Sequence, residues 1–255
     1  MKASFAIGGK HGSTNTDSYR KLAISAGVLF IVATGADMLS ALFLGPRDAA
    51  DYLVAVSANR GLIGAGALFL FIGGAAATGV AISLYPVLRR FSAGLALGSV
   101  VFRTFEGVLR FVAVSLGLLL LISLSQQFVN AGAPDSSYFQ TLGSLLVAGY
   151  RWVANVGALL AFSIGCLLYY IIFYRTRLVP RWLSVWGIVG AILTMASALS
   201  VMLGLFEPMS TGQIVMNLPI MPQEMVLAVW LIVKGFDPYV IASTGGNGQA
   251  STEEV

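Results

Sequence analysis

Residues 93–124 read AGLALGSVVFRTFEGVLRFVAVSLGLLLLISL, an apolar run longer than the roughly 20 residues that a helix needs to cross the hydrocarbon core of a bilayer. Only three charged residues interrupt it: Arg103, Glu106 and Arg110. Their spacings of three and four residues place them on one face of a helix. The stretch therefore predicts a transmembrane helix that carries a charged face inside the membrane.

The composition of the whole chain agrees with this helix. Of the 255 residues, 57% are hydrophobic and 10% are charged, against roughly 25% charged in an average soluble protein. The mean hydropathy is +0.85. So few polar groups cannot cover a water-facing surface, which excludes a soluble globular protein. We expect an integral membrane protein whose surroundings are the lipid bilayer.

Six apolar segments are long enough to span the membrane, which predicts an all-α, polytopic membrane helix bundle with six transmembrane helices over residues 19–236. Residues 1–18 and 237–255 contain no such segment and predict disordered tails. The third and fourth segments are too long for a perpendicular crossing, so we expect tilt or extension beyond the bilayer. The segments are Leu22–Leu44, Gly61–Tyr85, Ala93–Leu124, Leu142–Phe173, Trp182–Leu205 and Val215–Gly235.

Lysine and arginine predict the orientation. Ten of the 15 such residues lie at one set of helix ends, and only Arg47 and Arg60 lie at the opposite set. Positive charge favours the cytoplasmic side, so both tails are predicted to be cytoplasmic, in a multi-pass protein of the cell membrane. Aromatic residues flank the basic loop 174–181 and are expected at headgroup level: Tyr169, Tyr170, Tyr174, Trp182 and Trp186. The ten residues are Lys2, Lys10, Arg20, Lys21, Arg89, Arg90, Arg175, Arg177, Arg181 and Lys234.

Several kinds of site are excluded by the rarest residues. The sole cysteine, Cys166, lies in an apolar run, and the sole histidine, His11, lies in a polar tail. These counts exclude an intramolecular disulfide, a bis-histidine haem and an ordinary zinc site. No cofactor and no metal site are expected. The pI of about 9.3 reflects basic residues at helix ends, which membrane orientation explains better than nucleic-acid binding does.

The three charges of the third segment are costly. Each ionised residue near a helix centre costs about 2.5–3.5 kcal/mol on the insertion scale, or roughly 8–10 kcal/mol in all, which nearly cancels the gain from the apolar residues of the segment. The charged face must therefore point into the bundle and find partners there.

Other segments offer candidate partners for a ligand-binding or polar core. Asp37 lies in the first, Arg151 and Asn155 lie one turn apart in the fourth, and Glu224 lies in the sixth. Glu224 follows two prolines, Pro219 and Pro222, which cannot donate to a helical ladder, so residues 212–222 are expected to be irregular and packed against protein. The complete candidate set is Asp37, Arg60, Arg103, Glu106, Arg110, Arg151, Asn155 and Glu224.

Structural interpretations of the same residues remain open. Arg151, between Tyr150 and Trp152, fits an outer interfacial position, Arg103 fits a side chain that snorkels to the membrane surface, and Glu224 fits a first-turn acid. Glu106 with Arg110 fits a buried structural ion pair as well as it fits a ligand or proton site.

The C-terminal half carries a family resemblance. Residues 165–193, GCLLYYIIFYRTRLVPRWLSVWGIVGAIL, and 218–236, LPIMPQEMVLAVWLIVKGF, resemble the uncharacterised prokaryotic membrane protein family called domain of unknown function 4386, and so does FRTFEGVLR at 102–110. The resemblance implies a small six-helix integral membrane protein and assigns no catalytic residue.

Three functions fit the pattern. The first is a membrane protein that binds or moves a small anionic or amphiphilic ligand, a small molecule or a lipid, at the charged core, because paired arginines suit an anionic group. The second is a structural or regulatory membrane subunit whose charges serve helix packing. The third is an intramembrane enzyme that uses a carboxylate as acid or base; the pattern identifies no catalytic residue, so an enzyme is not the favoured interpretation.

Overall fold

A computed structural model describes the backbone of residues 11–44, 51–131 and 136–246, and the side chains of residues 17–44, 51–131 and 137–242. Within these ranges the regular structure is helical and no strand is formed. The helices are α1 His11–Leu44, α2 Tyr52–Ala58, α3 Arg60–Leu88, α4 Ala93–Val112, α5 Leu120–Asn130, α6 Ser136–Trp152, α7 Leu159–Thr176, α8 Arg181–Met202, α9 Thr211–Asn217, α10 Ile220–Val233 and α11 Pro238–Gly246.

Six helical segments of the described chain are long and apolar enough to cross a membrane, which confirms the predicted fold class. Wider π-helical turns at Ala113–Leu119 and Val153–Ala158 join α4 to α5 and α6 to α7, so each of these pairs forms one long span. The chain is therefore an all-α, multi-pass membrane protein. The spans are Asp17–Leu44, Arg60–Leu88, Ala93–Asn130, Ser137–Thr176, Arg181–Met202 and Thr211–Val233.

The tails are shorter than the sequence predicts. Helix α1 begins at His11, inside the segment 1–18 that was expected to be disordered, and residues 1–10 lie outside the described chain. Residues 238–246 form α11 because the side chain of Asp237 accepts a hydrogen bond from Tyr239 N, and because Val240 packs against the core. Residues 247–255 of the predicted C-terminal tail lie outside the described chain.

The third and fourth spans extend into a small assembly with α2 at one end of the bundle. Leu53 and Val56 of α2 are buried in an apolar cluster that also contains Leu121 of α5. The Tyr52 hydroxyl donates to the carbonyl of Gln140 in α6 over 3.3 Å. The apolar face of α2 therefore packs against protein.

The buried apolar residues form two clusters, and the charged residues lie between them. Along α1, Asp37 lies between Phe30 of the large cluster and Leu44 of the small cluster. Along the third span, the charged stretch 103–110 lies between the same two clusters. The large cluster includes Phe30, Leu84, Ala96, Cys166, Tyr170, Phe173 and Leu183; the small cluster includes Leu44, Leu53, Ile63, Val114, Leu118 and Val147.

The sixth span is interrupted where the prolines predict it. Helix α9 ends at Asn217 and α10 begins at Ile220, with a turn between them. The indole nitrogen of Trp186 in α8 donates to the carbonyl of Pro219 over 3.0 Å. One face of the segment is buried through Gln213 and Ile220, while the opposite face is exposed. Only one side of this segment therefore packs against protein.

Candidate functional site

Helix α4 positions the charged face. The Ser92 hydroxyl caps its first turn by accepting a hydrogen bond from Leu95 N. Arg103 and Glu106 point into the bundle and are buried, while Phe105 and Val108 on the other side are exposed by 57% and 52%. The helix therefore turns its charges inward and its apolar side chains outward, as the insertion cost requires.

Four charged side chains form a continuous network of ion pairs from α4 to α1. Arg103 Nη1 lies 2.8 Å from Glu106 Oε2, and Arg110 Nη2 lies 3.2 Å from Glu106 Oε1. Arg110 Nη1 donates to both carboxylate oxygens of Asp37 at 2.7 Å. Arg103 and Glu106 are 2% and 1% exposed, whereas Arg110 is 21% and Asp37 35% exposed. The network of ion pairs thus runs from Arg103, which is fully buried, to Asp37, which is partly exposed at the surface of the bundle.

Arg103 is enclosed by two other helices, α3 and α7. Its Nε donates to the carbonyl of Ala77 over 3.4 Å, and its Nη1 lies 3.7 Å from Cys166 Sγ. Its guanidinium carbon lies 4.9 Å from the centre of the Phe162 ring, a cation–π contact. A Cβ at Gly165 would lie 3.0 Å from Arg103 Cγ, so the glycine makes room for the arginine. The snorkelling interpretation of Arg103 is therefore wrong.

Two glutamates have buried carboxylate oxygens that keep acceptor capacity. The contacts between Glu106 and its two arginines are close but off the hydrogen-bond direction, so neither Glu106 oxygen accepts an aligned hydrogen bond from a described residue. Glu224 Oε1 is also buried without a donor among the described residues. Glu224 lies within electrostatic range of Arg103, Glu106, Arg110 and Asp37, so it belongs to the same core.

The carboxyl groups of this core outnumber its guanidinium groups. Asp37, Glu106 and Glu224 supply three carboxyl groups, and Arg103 and Arg110 supply two guanidinium groups. Buried charge in a low-dielectric interior is stable only when it is compensated. The core therefore has an excess of acceptor oxygens that a positive or hydrogen-bond-donating group could satisfy.

The other three predicted site residues lie elsewhere. Arg60 is exposed at the start of α3 and forms no ion pair with a described residue, so it does not join the charged core. The amide of Asn155 donates to its own helix, at the Arg151 carbonyl, and the Asn155 carbonyl accepts from Gln213 Nε2 over 2.9 Å. Asn155 therefore joins the fourth span to the sixth, and Arg151 is partly exposed one turn away.

A second polar network beside the core was not foreseen. The Tyr169 hydroxyl donates to Cys166 Sγ over 3.1 Å, and the Tyr170 hydroxyl donates to Gln223 Oε1. Gln223 Nε2 in turn donates to the carbonyl of Leu183 over 3.1 Å. Both tyrosines are fully buried, so their rings pack inside the protein and do not contact lipid headgroups. Tyr169 and Tyr170 lie one turn before the basic loop, on the helical face that carries Cys166. This position is the only signal in the sequence that could have indicated the buried network.

The arrangement limits the chemistry that the core can perform. In the described part of the chain no three His, Cys, Asp or Glu side chains come close enough to hold a metal ion. The groups that converge are carboxylates, guanidiniums, one thiol and two phenols, which can bind a polar group or exchange protons.

A comparison with known families covers most of the chain. Residues 25–235 match the family described as Domain of unknown function (DUF4386). Comparison with curated proteins and with solved structures gives no significant match. The matched region contains all six spans except the first turns of the first one, and it includes the whole charged core.

Proposed function

The chain belongs to the DUF4386 family, and we propose that it binds a small cationic or hydrogen-bond-donating ligand at its intramembrane charged core. One observation carries the proposal: the buried Oε1 of Glu224 has neither a hydrogen-bond donor nor an ion pair among the described residues, within a core that has more carboxyl groups than guanidinium groups. Buried acceptors of this kind are normally satisfied. A ligand with an ammonium or hydroxyl group would satisfy them.

The same geometry argues against the anionic ligand that the sequence favoured. Arg110 is occupied by Asp37 and Glu106, and Arg103 is occupied by Glu106, Ala77 and Cys166. An anion would have to displace a carboxylate that is already in contact. The groups left to recognise a ligand are acceptors, so they select for positive charge or for a donor.

The exposure of the core supports entry near Asp37. Exposure falls from 35% at Asp37 to 21% at Arg110 and 1% at Glu106. Gly73 lies beside this entrance, where a Cβ would meet Asp37 Oδ1 at 2.7 Å. A ligand that enters here meets Asp37 before it reaches Glu106.

A helix-packing role is the second candidate, and the environment of Arg103 favours it. Arg103 joins α4 to α3 and α7 within a closed space, as a purely structural charge would. The two functions differ at Glu224, which forms no ion pair with a described residue. Its removal should abolish ligand binding but should leave packing almost intact.

The orientation and location of the protein belong to the same proposal. Ten basic residues at one set of helix ends favour cytoplasmic termini in the cell membrane. In this orientation Asp37, in the second half of the first span, lies in the outer half of the membrane, so ligand entry near it would come from the outer side.

The experiment measures thermal stabilisation of the purified protein in neutral detergent. The ligands are ammonium, butylammonium and choline chlorides, with sodium butyrate and sodium butyl phosphate as anionic controls. Because a ligand that binds only the folded state at 100 times its Kd adds about 2.7 kcal/mol, the melting temperature should rise with at least one cationic compound and with neither anion. Glu224→Gln should abolish that rise, whereas Glu207→Gln, in an exposed loop, should retain it.

Two results would contradict the proposal. Stabilisation by the anions alone would restore the anionic ligand predicted from the sequence. If no compound raises the melting temperature, and Glu224→Gln melts at the same temperature as the wild type, the charged core serves helix packing and not ligand binding.

A further inference from the structure

A second cavity lies at one end of the bundle, away from the charged core. Its volume is about 590 Å³, within the range of small-ligand sites. The connection between α7 and α8, residues 177–181, forms one wall, and residues 234–239 after α10 form the other. The adjoining spans end at Thr176, begin at Arg181 and end at Val233. The cavity therefore lies where three helices leave the hydrocarbon core.

The cavity carries an excess of positive charge. Arg177, Arg181 and Lys234 line it and are exposed, and none of them forms an ion pair with a described residue. The one acidic lining residue, Asp237, uses its Oδ1 to accept a hydrogen bond from Tyr239 N over 2.9 Å. Three basic side chains thus surround the cavity, and Asp237, the one carboxylate that lines it, already caps α11.

The two walls are held together. Asp237 N donates to the carbonyl of Leu178 over 3.0 Å, which ties the two walls to each other. The guanidinium of Arg181 lies 5.5 Å from the centre of the Tyr174 ring, which restricts its position. Arg177 and Gly235 both adopt positive φ, at 62° and 74°, and so turn the chain sharply on either side of the cavity. The cationic groups are therefore presented by a fixed frame.

We propose that this cavity binds the phosphate of an anionic phospholipid headgroup. Arginine forks and a lysine ammonium are the usual partners of phosphate in proteins. Basic pockets between helices at the membrane surface suit anionic headgroups. Trp230 and Tyr239, which line the cavity, have the amphipathic rings that lie at headgroup level, and Tyr239 is 86% exposed. The position at the ends of three spans favours a lipid over phosphate dissolved in water.

The basic residues also contribute to the general positive charge of this end, so the test must separate a built site from diffuse attraction. Arg175 provides the matched control, because it is an exposed arginine in the last turn of α7, next to the connection, and does not line the cavity. A diffuse effect would depend equally on Arg175 and Arg181, whereas a built site depends on Arg181 alone.

The experiment measures binding of soluble dihexanoyl phosphatidylglycerol to the purified full chain in neutral detergent, by tryptophan fluorescence, below the critical micelle concentration of the lipid. Dihexanoyl phosphatidylcholine and inorganic phosphate are the comparison probes. We expect saturable binding of phosphatidylglycerol only. The Arg181→Gln/Lys234→Gln double variant should weaken it at least tenfold, Arg181→Gln alone about threefold, and Arg175→Gln less than twofold. Melting temperatures without lipid check that each variant folds, and the single variant decides the result if the double variant does not fold.

Three outcomes would overturn the proposal. Equal weakening by Arg175→Gln and Arg181→Gln would show diffuse attraction. Inorganic phosphate that binds as tightly as the lipid would show a site for free phosphate. Phosphatidylcholine that binds equally would show that the negative charge of the headgroup is not recognised.

Discussion

Glu106 lies at the centre of the charged core. It contacts Arg103 on one side and Arg110 on the other, and it is 1% exposed. The loss of its charge would leave Arg103 buried without a carboxylate partner. Because an unpaired buried charge costs far more than an unpaired surface charge, this residue should dominate the contribution of the core to stability.

Glu106→Gln should therefore destabilise the detergent-solubilised protein strongly. Removal of one partner of a buried ion pair costs about 3–5 kcal/mol, and here the change affects two arginines. The control is Glu207→Gln, because Glu207 is exposed and forms no ion pair with a described residue. Denaturant or thermal melting of the two variants measures the difference, and equal stability would show that Glu106 is not held in a buried pair.

At the scale of elements, α3 and α4 approach closely through small residues. A Cβ added at Gly107 would lie 2.7 Å from Thr78 Oγ1 and 3.2 Å from the carbonyl oxygen of Gly74. The Thr78 hydroxyl donates to the carbonyls of Gly74 and Arg103, each over 3.2 Å. This contact keeps α3 and α4 close enough for the Arg103 side chain to reach the Ala77 carbonyl. Small residues allow such contacts between helices in lipid.

Gly107→Ala should separate α3 from α4. The added methyl group meets backbone as well as a side chain, so the expected cost is about 1–3 kcal/mol, as for other overpacked sites. Gly64→Ala is the control on the same pair of spans, because a Cβ at Gly64 meets nothing within 4 Å. Thermal melting should show Gly107→Ala less stable than the wild type and Gly64→Ala at least as stable. The opposite order would mean that the two helices do not pack at Gly107.

Another contact between elements joins the first span to the last. Arg20 Nη1 donates to the carbonyl of Leu231 over 2.9 Å, and its Nη2 donates to the carbonyls of Ile232 and Val233. These carbonyls belong to the last turn of α10, which has no further helical donors of its own. An arginine that counts only as an orientation signal in the sequence is therefore also the C-terminal cap of another helix.

At the scale of the whole molecule, the charged core lies between two apolar clusters, and the outer surface of the bundle is apolar. Exposed side chains such as Leu42, Leu68 and Leu145 cover the bundle, at 79%, 57% and 65% exposure. Such a surface is stable only against hydrocarbon. Within the spans, the charged face of α4 thus points into the bundle, while apolar side chains cover its outer surface.

The proposed orientation makes a prediction for intact cells. A cysteine at Ser137, exposed at the start of the fourth span, should react with a membrane-impermeant thiol reagent added outside. A cysteine at Tyr239, at the opposite end, should react only after the cells are opened. Native Cys166 is fully buried and should not interfere. The reverse labelling pattern would place the termini outside.

Particular residues show how far the sequence predicts the site. The spacing of Arg103, Glu106 and Arg110 was enough to place them on one inward face. Asp37 was foreseen as a partner because it was one of few charges in an apolar span. Nothing local indicated Cys166 beside Arg103, or Tyr170 bonded to Gln223. These contacts join residues far apart in the chain, so they depend on which helices become neighbours.

The sequence by itself determined the membrane class, the six spans, the break at Pro219 and the inward charged face. These properties follow from hydropathy and helical periodicity, which add up along one stretch of chain. Only the tertiary structure decided that Arg110 pairs with Asp37, that Arg60 lies apart, and that the unsatisfied groups are acceptors. The reason is physical: a side chain's partners depend on the rotation and spacing of packed helices. In this chain, glycine contacts between different spans help to set that spacing.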